Sequence, residues 1–164
     1  MSATFPLPAF ERKICWPQEL AERAARLPAP RVFTNGCFDI LHRGHATCLA
    51  QARALGASLI VLVNSDASVK RQGKGAERPI NPLPDRLAML AALECVDLVS
   101  SFDDDTPLAA ILACQPEILV KGGDWPAEKI VGAREVLQRG GQVYSIPFIH
   151  PLSTSSLLEK IRRL

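Results

Sequence analysis

The residues best suited to chemistry lie in one short segment that holds two of the chain's three histidines. Residues 35–45 read N-G-C-F-D-I-L-H-R-G-H, so His42 and His45 are three positions apart with Gly44 between them. Residues at i and i+3 share one face of a helix, and the amide groups at a helix N-terminus attract anions. A glycine here lets backbone or ligand approach closely. The spacing predicts a phosphate site, against the alternative of two histidines satisfied locally at a helix start.

A metal or disulfide framework is not indicated by the other candidate residues. No third Cys, His or carboxylate follows the two histidines at the spacing of a zinc site. The five cysteines are odd in number and dispersed, and they form no C-x-x-C pair. We therefore expect reduced thiols at Cys15, Cys37, Cys48, Cys95 and Cys114.

A basic, glycine-containing segment follows the second apolar run of the chain. Residues 70–78 carry four cations and one anion. Lys70 and Arg78 are predicted to bind substrate phosphates, because cationic side chains pair strongly with groups that carry several negative charges. For Arg71 and Lys74 a solvated surface is an equally good interpretation. The glycines at 73 and 75 would let this segment close over the site and exclude water.

Two later segments also suit a nucleotide. Residues 121–124 read K-G-G-D after the fourth apolar run, where a glycine pair can present bare backbone to a base or ribose, or form a tight turn. Residues 153–156 read S-T-S-S before an apolar stretch. These hydroxyls are helix caps in the simpler interpretation and a second phosphate site in the other.

The elements that position these residues alternate between strand and helix. Continuous apolar runs at 32–34, 59–63, 96–99, 118–120 and 143–146 are typical of strands buried on both faces. Helical patterns lie at 46–55, 85–93, 108–114 and 131–139, with a leading helix at 17–27 and a closing one at 153–164. This alternation predicts a doubly wound, Rossmann-like α/β fold: a five-stranded parallel sheet with helices on both faces. Ligands of such folds bind outside the carboxyl ends of the strands.

Length and composition limit the number of domains and the class of protein that this chain can form. Its 164 residues, 48% hydrophobic and 22% charged, predict one domain over 1–164, with a leading helical segment at 1–29 and a catalytic core at 30–164. A net charge of +2 provides no global attraction for nucleic acid or an anionic membrane. The first residues lack the pattern of a signal peptide, and no apolar run reaches about 18 residues. We therefore expect a cytoplasmic protein with no nucleic-acid or membrane partner.

Residues 35–45 resemble the signature of the cytidylyltransferase-like nucleotidyltransferase family. The resemblance implies that His42 and His45 contact nucleotide phosphates and stabilise the transition state, with Lys70 as a further catalytic residue. The familiar Ser/Thr signature carries an arginine shortly afterwards, whereas residues 157 and 158 here are leucines. The nucleotide-binding residues expected from this resemblance and from the segments above are Asn35, Gly36, Cys37, Phe38, Gly44, Lys121, Gly122, Gly123, Asp124, Thr154 and Ser155.

A broader similarity, from about residue 31 to 161, points to one branch of that family. Residues 64–71, 78–82, 102–106 and 120–124 resemble the members that form ADP-heptose. The resemblance implies transfer of AMP from ATP to D-glycero-β-D-manno-heptose 1-phosphate, with release of pyrophosphate, for the lipopolysaccharide core. One alternative is transfer of CMP or AMP to another phosphorylated acceptor, such as glycerol 3-phosphate or phosphopantetheine. The alternative from outside the enzymes is a module that senses nucleotides.

The same resemblance implies Mg²⁺ bound with ATP as the cofactor, a homo-oligomer, and a pathway kinase on a separate chain. Magnesium keeps several waters and bridges phosphate oxygens, so a dedicated carboxylate cage is not required. The sequence is compatible with two roles for Asp39. This residue either receives a metal-bound water or orients a histidine.

Overall fold

The computed structural model describes residues 5–73, 75, 77–150 and 152–164, and its centre is a five-stranded parallel sheet. The strands lie in the order β3-β2-β1-β4-β5, and each neighbouring pair is parallel. The predicted doubly wound α/β architecture is confirmed. The strands are β1 (Arg31–Gly36), β2 (Ser58–Asn64), β3 (Leu98–Phe102), β4 (Ile118–Gly122) and β5 (Gln142–Ile146).

Helices cover both faces of the sheet because successive side chains of each strand point to opposite sides. Phe33 packs in one apolar cluster with residues of α1, α5 and α6, and Val32 packs in the other with residues of α2 and α4. The helices are α1 (Leu20–Ala25), α2 (Arg43–Arg53), α3 (Asp66–Arg71), α4 (Leu83–Ala91), α5 (Leu108–Cys114), α6 (Ala133–Gln138) and α7 (Thr154–Arg162). Short 3₁₀ turns span Ala9–Lys13, Pro17–Glu19 and Ala127–Lys129.

The largest difference from the sequence prediction is α3, which lies in a segment predicted to be loop. Ser65 caps this helix by accepting a hydrogen bond from the Ser68 amide at 3.0 Å, and Val69 is completely buried. Two buried residues, Ser68 and Val69, and a cap stabilise a helix that is too short to show a periodic pattern. A second difference is that α2 begins at Arg43 rather than at 46, which makes His42 its N-cap residue.

The leading segment packs on the outer edge of the sheet. The Cys15 amide donates to the Val99 carbonyl at 2.9 Å, and the Ser100 hydroxyl donates to the Cys15 carbonyl at 2.8 Å. These bonds cover the open side of β3, so this segment is part of the packed structure. Among the described residues, every helix is too short or too polar to cross a bilayer.

Candidate active site

The N-terminus of α2 lies directly beyond the carboxyl end of β1, the central strand of the sheet. His42 is the N-cap residue, with extended backbone, and its carbonyl accepts from the Ala46 amide at 3.2 Å. A Cβ on Gly44 would lie 3.0 Å from two atoms of the His42 ring. The glycine therefore makes room for that ring at the first turn. Both histidines therefore lie at the start of α2, where the first amides of a helix are free of intrahelical bonds, and phosphate binding there stays a prediction.

The two histidine rings stack on each other, with centroids 3.8 Å apart and planes inclined by 22°. The Nδ1 atoms of both rings are buried and have no hydrogen-bond partner within the described residues. Burial lowers the pKa of His45 to about 4, with repulsion from His42 as a smaller cause, and burial also lowers the pKa of His42. Both imidazoles are therefore neutral near pH 7. Buried polar atoms without partners indicate a place where a ligand completes the hydrogen bonding.

Phe38 supports this pair from the loop between β1 and α2. Its ring meets His45 edge to face, with centroids 5.3 Å apart, while its own backbone has a φ of 47°. A Cβ on Gly36 would lie 3.0 Å from the Phe38 ring. Gly36 is thus needed for the packing that brings this ring against His45.

Two cavities open side by side at the carboxyl ends of β1 and β4. The first, of about 290 Å³, is called the histidine cavity because His45 lines it, together with Cys48, Gly122 and Phe148. The second, of about 260 Å³, is called the Gln72 cavity and is also lined by Asn64, Thr106 and Lys129. The two cavities share a wall formed by Asn35, Gly36, Cys37, Lys121 and Trp125. Ligands in the two cavities would therefore contact the same five residues.

The glycine pair after β4 lies at this wall and is closely packed. Gly123 has a φ of 108°, which favours glycine, and a Cβ on Gly122 would lie 2.9 Å from the Phe148 ring. Just before the pair, the Lys121 ammonium donates to the Asn35 side-chain oxygen at 3.3 Å. The chain therefore bends at Gly123 while Gly122 lines the histidine cavity, and binding of a base or ribose by this pair stays a prediction. Asp124 is exposed.

Comparison with known proteins agrees with this geometry. The cytidylyltransferase-like family profile matches residues 33–159. This chain belongs to the cytidylyltransferase-like family. It is 53% identical over 94% of its length to a D-beta-D-heptose 1-phosphate adenylyltransferase of Bordetella bronchiseptica, and it covers 96% of that protein.

Longer and more distant relatives extend the comparison. The chain is 58% identical to the bifunctional protein HldE of Methylococcus capsulatus over 80% of its own length, but spans only 28% of that protein. A crystal structure of the lipopolysaccharide core biosynthesis protein from Thermoplasma volcanium is 29% identical over 72% of this chain and 94% of the other, with a TM-score of 0.58. Pantoate-beta-alanine ligase of Francisella tularensis, 13% identical over 92% of this chain and 78% of the other, shares the fold with a TM-score of 0.58.

Within this family member, Asp39 holds the backbone that follows the basic segment. Its side chain is 2% exposed and pairs with the Nε of Arg78, and its Oδ1 accepts from the amides of Ile80 and Asn81 at 2.8 and 2.9 Å. Both carboxylate oxygens are thus engaged inside the protein. The contacts show neither of the two roles predicted for Asp39, a metal water or a histidine partner.

The environment of Arg78 in the structure also differs from the one that the sequence predicted. It is 5% exposed, and its Nε donates to Asp39. The sequence predicted a phosphate ligand here because the substrate phosphates of a nucleotidyl transfer carry several negative charges. The tertiary structure supplies a buried carboxylate partner 39 positions away, which no local pattern could indicate.

The remaining cations of the basic segment are distributed between partners and solvent. Lys70 is exposed in the last turn of α3, and its catalytic role stays a prediction. The Arg71 Nε donates to Asp105 at 3.0 Å, so an acidic neighbour engages this cation at the surface. Lys74 lies outside the described residues.

At the start of α7, two of the four hydroxyl side chains cap the helix and the other two do not. The Ser153 side chain accepts from the Ser156 amide at 3.0 Å, and the Ser156 hydroxyl accepts from the Ser153 amide at the same distance. The cap is therefore made by these two serines. Thr154 is buried and Ser155 is exposed, and neither forms this cap. Their nucleotide-binding role stays a prediction.

Several residues that line the cavities were not singled out from the sequence. Trp125 is part of the shared wall, and Phe148 and Cys48 line the histidine cavity. Trp125 directly follows the glycine segment, so its position was a usable signal. No sequence signal marks Gln72 or Cys48. Each lies on or beside a helix, and the packing of that helix against the sheet sets the direction in which the residue faces.

Proposed function

We propose that this chain transfers AMP from ATP to D-glycero-β-D-manno-heptose 1-phosphate, forming ADP-heptose and pyrophosphate for the lipopolysaccharide core. The observation that carries the proposal is the pair of adjoining cavities with one shared wall beside the N-terminus of α2. A transfer between two phosphorylated substrates needs two sites whose reactive ends meet. The Bordetella relative, similar over nearly its whole length, supports the choice of donor and acceptor.

The chemistry of the walls assigns one substrate to each cavity. ATP takes the histidine cavity, where the turn at Gly122 and the Phe148 ring offer backbone and an apolar surface to a base or ribose. The sugar takes the Gln72 cavity, whose Asn64, Gln72 and Thr106 carry the amide and hydroxyl groups that bind sugar hydroxyls. Lys121, in the shared wall, places a cation where both phosphates arrive.

The reaction needs little acid–base help from the protein. The second pKa of a phosphate monoester is about 6, so the acceptor phosphate is already largely dianionic near neutral pH. One of its oxygens forms a bond to the α-phosphorus of ATP while the bond to the pyrophosphate oxygen breaks. His42, His45 and the amides at the start of α2 orient the nucleotide phosphates and donate hydrogen bonds as charge develops. We propose that Lys70 adds positive charge at the departing pyrophosphate.

Magnesium enters this proposal with ATP as part of the substrate. Among the described residues no cluster of three or more His, Cys, Asp or Glu side chains could hold a metal ion, and Asp39 is engaged by Arg78 and two amides. Phosphate oxygens and water are the ligands that Mg²⁺ prefers in such complexes.

The setting of the reaction belongs to the same proposal. We propose that the enzyme works in the cytoplasm as a homo-oligomer, with ATP and heptose 1-phosphate as its partners and the pathway kinase on a separate chain. Light scattering coupled to size-exclusion chromatography tests the oligomer, and a single-chain mass at micromolar concentration would contradict it.

Release of pyrophosphate, measured with purified substrates, tests the function. ATP with the β-anomer of heptose 1-phosphate and Mg²⁺ should yield ADP-heptose. CTP should react poorly, since a site that hydrogen-bonds one base leaves buried polar groups unpaired with another. The α-anomer should fail because its phosphate leaves the ring in a different direction and misses in-line geometry.

Matched acceptors and donors separate the alternatives in the same assay. Faster turnover with glycerol 3-phosphate or phosphopantetheine, or with CTP as donor, would refute the heptose assignment and leave the nucleotidyl transfer standing. Binding of ATP without pyrophosphate release from any acceptor would indicate a nucleotide-sensing module instead.

A further inference from the structure

Arg86 is a completely buried arginine that lines neither cavity at the shared wall. It lies on α4, is 1% exposed, and spreads its guanidinium over three separate segments. Its Nε donates to the Asn81 carbonyl at 3.0 Å, its Nη1 to the Cys37 carbonyl at 2.7 Å, and its Nη2 to the Asp66 carboxylate at 2.7 Å. Burying a guanidinium is costly unless its donors are satisfied, so these three acceptors are held together.

The Cys37 carbonyl is the acceptor that leads to the histidines. It belongs to the peptide group that joins Cys37 to Phe38, and Phe38 has the unfavourable φ of 47°. A non-glycine residue is strained in this left-handed region and keeps that conformation only when its surroundings hold it. The Phe38 ring in turn contacts His45. Fixing this one peptide therefore fixes the ring that supports the histidine pair.

The Asp66 carboxylate is the acceptor that leads to α3. Asp66 is the first residue of that helix, and Lys70 lies one turn later. A guanidinium that binds both Asp66 and the Cys37 carbonyl sets the position of α3 relative to the loop after β1. The two predicted sources of positive charge and hydrogen bonds, Lys70 and the α2 N-terminus, are thereby kept at a set separation.

We propose that Arg86 is a positioning residue of the transfer reaction, acting through the Cys37–Phe38 peptide on His45 and through Asp66 on α3. The proposal rests on the proposed function for its kinetic consequence, although its structural consequence can be measured without turnover. Arg86 touches no substrate in this assignment. Its contribution is the geometry of groups that do.

Arg53 provides a matched control for a merely structural arginine. Its Nε donates to the Asp97 carboxylate and its Nη1 to the Gly56 carbonyl, both at 2.8 Å. Those partners precede β3 and β2, at the edge of the sheet opposite the cavities. Arg53→Lys therefore removes a comparable pair of bonds without touching the site.

The experiment compares Arg86→Lys with Arg53→Lys, because lysine keeps the charge but cannot reach three acceptors at once. Turnover is measured well below each melting temperature, and NMR cross-peaks between the ring protons of Phe38 and His45 report their contact. Arg86→Lys should lower kcat tenfold or more and weaken those cross-peaks. Arg53→Lys should keep kcat within twofold and leave the cross-peaks unchanged.

Other results of these measurements also decide whether Arg86 has a positioning role. A folded Arg86→Lys variant with wild-type kcat and cross-peaks would overturn it. If that variant does not fold, Asp66→Asn, which weakens one Arg86 contact without changing either cavity wall, decides: a tenfold lower kcat supports the proposal, and wild-type kcat overturns it. If the wild-type protein makes no ADP-heptose, the proposed function fails, and the cross-peaks of Arg86→Lys still decide the positioning role.

Discussion

At the scale of single residues, the stacked histidines are the feature on which the chemistry depends most. Their rings are 3.8 Å apart, and both Nδ1 atoms lack a partner in the part of the chain that the structure describes. A buried polar atom without a partner is normally avoided, and this site has two of them next to each other. The proposed function has the nucleotide phosphates bind beside these two rings.

Replacing either histidine should therefore impair turnover far more than folding. His42→Ala or His45→Ala should lower kcat about 100-fold, as loss of a transition-state hydrogen-bond donor does, while the melting temperature changes little. Steady-state release of pyrophosphate measures this effect. Near-wild-type turnover in both variants would remove the histidines from the mechanism.

The lowered pKa of His45 predicts how the stability of the ligand-free protein depends on pH. The folded state holds this pKa at about 4, below the ordinary value of 6.5, so the unfolded chain binds a proton first on acidification. The contribution of His45 to the free energy of unfolding is complete above pH 6.5 and is lost as the pH drops from 6.5 towards 4. The melting temperature should follow, and its decrease in this window should be smaller in His45→Asn.

Glu117 provides the control, because its stability change falls in another pH window. The hydrogen bonds from Arg31 lower the pKa of Glu117 to about 2, so its contribution is lost only between pH 4.5 and 2. Glu117→Gln should leave the decrease between pH 6.5 and 4.5 unchanged. An equal decrease in His45→Asn and the wild type would show that other groups cause it.

At the scale of elements, α3 carries the exposed Lys70 on a helix that packs against the sheet through Val69. Lys70→Ala should lower kcat tenfold or more and leave the melting temperature within about 1 °C, because an exposed lysine contributes little to stability. Calorimetry and the pyrophosphate assay measure the two effects. Lys160→Ala, at an exposed position in α7, should change neither. Parallel losses of stability and activity in Lys70→Ala would indicate a structural role.

The start of α7 allows capping and ligand binding to be separated by single hydroxyls. Ser153→Ala removes the cap and should lower the free energy of unfolding by about 1 kcal/mol without changing KM for ATP. Ser155→Ala should raise KM for ATP severalfold at unchanged stability, if the exposed hydroxyl binds nucleotide as predicted. Wild-type KM in Ser155→Ala would assign this segment to capping alone.

At the scale of the whole molecule, each substrate should stabilise the fold by binding the native state alone. At 100 times its Kd a ligand adds about 2.7 kcal/mol to the free energy of unfolding, which raises the melting temperature measurably. We expect such a rise with ATP and Mg²⁺, a second rise when a non-reactive analogue of heptose 1-phosphate is added, and a smaller rise with CTP. Equal rises with ATP and CTP would contradict selection of the base at this site.

The fold and the centre of the site could be predicted because their signals are local. Continuous apolar runs such as that in β2 need burial on both faces, and the spacing of His42, Gly44 and His45 falls within four residues. Helix α3 was not predicted because it is short. A six-residue helix depends on its cap and on two buried residues rather than on a periodic pattern. The boundary of α2 shifted for a related reason, because its first turn contains Gly44 and His45, and both residue types are poor helix formers.

The sequence by itself determined the order of the elements, the edge of the sheet where a ligand is expected and the histidine motif, because each follows from periodicity or short-range spacing. Only the tertiary structure decided which polar residues line the cavities and which face one another. Asp39 and Arg78 pair across 39 positions, and Arg86 joins Cys37, Asp66 and Asn81 from three segments. Such pairings depend on how helices and loops pack against the sheet, and a charged residue looks the same in sequence whether its partner is a phosphate or a buried carboxylate.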